Sequence, residues 1–146
     1  MDITTLIPIL QASIAPFVLI SGIGLLVLSM TNRIGRPTDL IRKLLAEMDR
    51  AEGEDRDFLK SQITVLRRRC TILRRAIALA LLAISLICAV TLLLFAEQIF
   101  GLGLTALVEI CFIGGLIAII MSLFWLLEDM RITLRSLDIE IERHQN

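Results

Sequence analysis

The chain has 146 residues, a hydrophobic fraction of 56%, a mean hydropathy of +0.81, and 15 basic against 15 acidic residues. Soluble domains average roughly 45–50% apolar, and the excess here is gathered into long charge-free runs, which excludes an ordinary soluble domain. The length allows one domain, 1–146, expected to be all-α and integral to a membrane.

The first run, from Ile3 to Asn32, carries no charge. A bilayer core about 30 Å thick needs roughly 20 helical residues, so a span is predicted at 6–30. A cleaved signal peptide has a basic start and a short apolar core. Here no Lys or Arg precedes Arg33, so the segment is expected to stay in the mature protein. Pro16 removes a backbone bond in mid-helix and should bend this span. Gln11, Ala15, Gly22 and Ser29 share one face, a pattern that suits either intrachain helix packing or a homo-oligomer contact.

Residues 31–75 form a charged region expected to be helical. Pro37 predicts a kink or short break near its start. Ile41, Leu44, Met48 and Ala51 then fall on one face, with Leu40 and Leu45 beside them. The polar run Ala51–Asp57 is a turn, with Gly53 as the helix stop. The next helix places Leu59, Ile63, Leu66, Cys70, Leu73 and Ile77 at alternating spacings of four and three, a heptad seam. The seam enters the second span, 76–96, without a breaker, so one long helix is expected. Ala76, Ala80 and Ala83 share a face of that span.

A short loop leads to the third span, 104–127, where Gly114, Ala118 and Ser122 make a further small-residue stripe. The tail 128–146 continues the helical pattern through Leu127, Met130, Leu134, Leu137 and Ile141. The apolar stripes of the three polar segments are expected to bury one another as a cytoplasmic helical hairpin or stalk; three amphipathic helices lying on the lipid are the alternative.

Charge sets the orientation. The segment Thr31–Arg75 holds 12 of the 15 basic residues, and the tail holds Arg131, Arg135 and Arg143. Basic flanks stay in the cytoplasm. The N-terminus and the loop after the second span are therefore expected outside, and the C-terminus inside, in a bacterial inner membrane. Trp125 and Phe124 lie at the inner end of the third span, where aromatic anchors belong.

Candidate chemistry is sparse. Cys70, Cys88 and Cys111 show no metal or redox spacing, and the lone His144 is a tail residue. Ser21 has no activating base within a span. No enzymatic activity, metal or cofactor is expected. Arg67, Arg68, Arg69, Arg74 and Arg75 suit either anionic lipid headgroups, at about 1 kcal/mol per residue, or ordinary anchoring at the inner surface. Nucleic acid is not expected as a partner, because Glu47, Asp49, Glu52, Glu54, Asp55 and Asp57 dilute the basic field. Arg33 and Glu128 each sit just past the inner end of a span and are expected to pair, with Asp129 as competing acceptor and Arg74 or Arg75 as competing donor. Glu109 is the one ionisable residue clearly within a span, roughly 7–8 Å deep at about 1.5 Å per residue. Gln11 and Thr91 fall at the same depth, so the three should form an outer-leaflet polar cluster, either a packing lock or a proton or cation site.

Three stretches carry a resemblance: Leu19–Arg42, Leu66–Ile77 and Leu127–Glu142. Asn32-Arg33 follows the first span, Arg74-Arg75 enters the second, and Glu128–Leu134 leaves the third as Glu-x-x-Arg-x-x-Leu. The order resembles a bacterial family of small three-span membrane proteins of unknown function, of the DUF2721 type. The resemblance covers nearly the whole chain and implies the three-span fold; it implies no activity. Pro37 departs from the family pattern, which again predicts an interruption of the first helix. The function expected is a structural or protein-interaction module, homo-oligomeric, with an oligomeric ion channel or ion pathway as the alternative.

Overall fold

Gly53, with φ of +64°, occupies a backbone region that L side chains rarely enter, and it separates the first two helices of the computed structural model. The structure describes the backbone of 3–101 and 103–145, and the side-chain surroundings of 14–101 and 103–133. The helices are α1 (Ile3–Met48), α2 (Glu54–Phe100) and α3 (Thr105–Gln145), and there is no strand among the described residues. Each contains a stretch long and apolar enough to cross a membrane. Only 11, 22 and 17% of those apolar windows is buried within the chain. The rest is apolar surface that water would not tolerate, as a multi-pass membrane protein requires.

α1 runs unbroken through Pro37, so the expected break there is not found. Proline costs one backbone bond, yet its fixed φ is itself helical. Pro37 is buried, and the next residue turns its hydroxyl inward: Thr38 Oγ1 donates to the Ile34 carbonyl at 2.8 Å. Thr38 Oγ1 also lies 3.9 Å from Cys70 Sγ on α2. The acidic first turn of α2, with Glu54, Asp55 and Asp57, suits the positive end of its dipole.

The α2–α3 turn rests on two glycines and one carboxylate. Gly101 and Gly103 have φ of 60° and 67°. Glu97 accepts the N–H of Gly103 at Oε1 (3.2 Å) and of Leu104 at Oε2 (2.7 Å). Those amides stand at the start of α3 and have no partner within the helix.

The chain packs as two compact units. One comprises Met1–Leu28 with Ala78–Met121. Its core is Ile23, Ala80, Ala83, Ile87 and Ala118. A Cβ on Gly115 would touch Ile87 Cγ1 at 3.5 Å and the Ala83 carbonyl oxygen at 3.7 Å, so α3 lies close against α2 here. The α1 small-residue face behaves differently. Ala15, Gly22 and Ser29 are exposed, and nothing lies within 4 Å of a Cβ on Gly22. Of the two uses open to that face, intrachain packing does not occur among the described residues.

The other unit comprises Ser29–Ile77 with Ser122–Asn146. Met30, Leu44, Cys70, Leu73 and Ala76 are buried in it, so the heptad seam faces inward. Ser122 Oγ donates to the Ala76 carbonyl at 2.7 Å, with both residues fully buried.

Candidate functional site

One face of the second unit concentrates charge where apolar runs end. α1 becomes charged at Arg33 and α3 at Glu128. Asp129, only 2% exposed, accepts a bond at Oδ1 from Arg69 Nε at 3.3 Å. A carboxylate withdrawn from water needs such a partner, and among the described residues no buried side-chain nitrogen or oxygen lacks one.

This pair stands at a groove of about 810 Å³. Asn32, Arg33 and Arg36 line it from α1, Arg69 from α2, and Asp129 and Met130 from α3. Residues 29, 32, 33, 36, 37 and 40 recur at helical spacing, so one face of α1 forms a wall. Three guanidinium groups face one carboxylate, which leaves two positive charges in excess. A second groove of about 590 Å³ is lined by Arg68, Arg75, Trp125 and Glu128 among others. There the Arg75 guanidinium stands 5.4 Å from the Trp125 ring centroid, a cation–π contact. Phe124 meets Trp125 edge-on at 6.5 Å.

The structure does not bring Arg33 and Glu128 together: they line separate grooves, and the ion pair among the described residues is Arg69–Asp129. The competing acceptor is thus the one used, with a donor one helical turn or more from the expected Arg74 and Arg75. Helical phase explains the choice. Arg69 is only partly exposed and precedes the buried Cys70 on the seam, whereas Arg67, Arg68, Arg74 and Arg75 lie on the exposed faces.

Of the expected polar cluster, Gln11 lies outside the residues whose side chains are described. Thr91 donates its hydroxyl to the Ile87 carbonyl of its own helix at 3.1 Å. Glu109 is exposed on the surface of the chain and makes no hydrogen bond or ion pair with a described residue. Thr91 and Glu109 are therefore not joined. Among the described residues no three His, Cys, Asp or Glu are placed to hold a metal ion. The features missed in the sequence are the Arg69–Asp129 pair and the Glu97 cap. The phase of Arg69 beside the heptad seam was the available signal for the first; the second depends on the path of the turn.

No curated protein and no solved structure matches the chain. The family model described as a protein of unknown function, DUF2721, matches residues 13–139. That match takes in all three apolar stretches, the α2–α3 turn and both members of the Arg69–Asp129 pair. The chain is a multi-pass membrane protein belonging to the DUF2721 family.

Proposed function

We propose that this protein is a non-enzymatic structural or protein-interaction module of the bacterial inner membrane that works as a homo-oligomer. Its N-terminus lies outside, and the polar ends of its helices form a cytoplasmic stalk. The distribution of basic residues supports that orientation. Exposed Arg67, Arg68, Arg74 and Arg75 then face the anionic headgroups of the inner leaflet, and nucleic acid is not a partner.

The observation that carries self-association is Glu109. It lies on the outer surface of an apolar stretch, among exposed Leu107, Ile110 and Ile113. A charge facing lipid costs up to about 3 kcal/mol at the centre of a span and less towards its end. A second copy covering this face removes the group from lipid. The open α1 face at Gly22 supports the same reading, because small residues let helices of two copies approach closely.

Cross-linking in native membranes tests it. Glu109→Cys, in a chain with Cys70, Cys88 and Cys111 replaced by alanine, is expected to give a thiol-linked species of about twice 16.3 kDa. A product that stays at 16.3 kDa overturns the contact.

The same glutamate favours a second reading, an oligomeric ion pathway in which Glu109 lines the space between copies. Planar-bilayer conductance that disappears in Glu109→Gln supports it, and a silent wild-type protein rejects it.

A further inference from the structure

We infer that the groove between Asn32, Arg33, Arg36 and Arg69 binds the phosphate of an anionic phospholipid. Arg69 is engaged by Asp129. Arg33 and Arg36 line the same groove and have no acidic partner among the described residues. Asn32 adds a neutral donor between them and the apolar run. Guanidinium groups meet phosphate oxygens through paired N–H donors, which a lysine cannot reproduce.

Depth selects a lipid as the source of the phosphate. The charge-free run of α1 ends at Asn32, and that of α3 ends at Leu127, two residues before Asp129. The groove thus begins where the spans leave the hydrocarbon, at the level of headgroups. Its other walls are apolar, with Leu40, Leu66 and Met130. Such walls suit the glycerol backbone of a diester and offer little to free phosphate. Basic pockets between membrane helices bind lipid headgroups in this way. Asp129 has a positioning role: it holds Arg69 in the groove and opposes a second negative charge there, which favours a diester over a dianionic group.

The inference is independent of self-association, since lipid retention is read per chain. Native mass spectrometry of the detergent-purified full chain tests it, with phosphatidylglycerol, phosphatidylcholine or inorganic phosphate added separately. One phosphatidylglycerol per chain should survive activation that strips phosphatidylcholine. In R33Q/R36Q its apparent affinity should fall about thirtyfold, from about 1 kcal/mol per basic residue. The matched control R67Q/R74Q removes the same charge outside the groove and should lose much less. If R33Q/R36Q does not fold, R33K/R36K keeps the charge without the paired donors and should still retain less lipid than the wild type.

Equal losses in the two double variants overturn the site in favour of general surface attraction. Equal retention of the two lipids overturns the selectivity. Displacement of phosphatidylglycerol by millimolar inorganic phosphate overturns the lipid as source.

Discussion

Arg69 Nε stands 3.3 Å from Asp129 Oδ1, and sixty positions of sequence separate the two residues. The pair joins α2 to α3 beside the cluster of Met30, Cys70, Leu73 and Ala76. Only 2% of the Asp129 side chain is exposed. Removing one member of such a pair strands a buried charge, which costs about 3–5 kcal/mol. Arg69→Gln is therefore expected to lower the melting temperature in detergent far more than Arg33→Gln or Glu128→Gln. Replacing both members with leucine should recover much of the loss. Equal effects at Arg69 and Arg33 would show that the pair contributes little.

Gly115 sits where α3 approaches α2. An alanine there makes ordinary contacts at 3.5–3.7 Å, so Gly115→Ala should leave stability within about 0.5 kcal/mol or raise it slightly. Gly115→Leu overfills the contact and should cost about 1–3 kcal/mol. Thermal unfolding in nanodiscs reads both. A tolerated leucine would mean that the helices can separate at this point.

Glu97 accepts from the backbone amides of both Gly103 and Leu104. Loss of a comparable helix cap costs about 0.5–2 kcal/mol. Glu97→Ala should accelerate hydrogen exchange at those two amides selectively, with little change at the buried core around Ile87. Unchanged exchange at Gly103 and Leu104 would remove the cap from the account of this turn.

The proposed orientation has a direct genetic readout. An alkaline phosphatase fusion after Asn146 should be inactive, and one placed in the Gly101–Gly103 loop should be active, because no basic residue lies on that side. The reverse pattern would invert the topology and move the basic groove to the outer leaflet.

Much of the fold was legible in the sequence because the signals are long. Charge-free runs located the spans, Gly53 marked the first turn, and the seam from Leu59 to Ile77 ran into the second span as one helix. The Pro37 break was a local inference, overridden by tertiary packing around a buried proline whose φ already suits the helix. The site was less legible. Arg33 and Glu128 were matched by distance past their spans, a one-dimensional criterion. Pairing also depends on helical phase, and phase puts Arg69 and Asp129 in reach of each other. Equal depth likewise failed to join Thr91 to Glu109, since Thr91 bonds to its own helix.

Self-association in the membrane is the central claim, and particle mass tests it most directly. Native mass spectrometry of the full chain ejected from lipid nanodiscs should give a protein mass that is an integral multiple, two or greater, of 16.3 kDa. That multiple should persist across nanodiscs loaded at low protein density. A single chain of 16.3 kDa at every loading would contradict it.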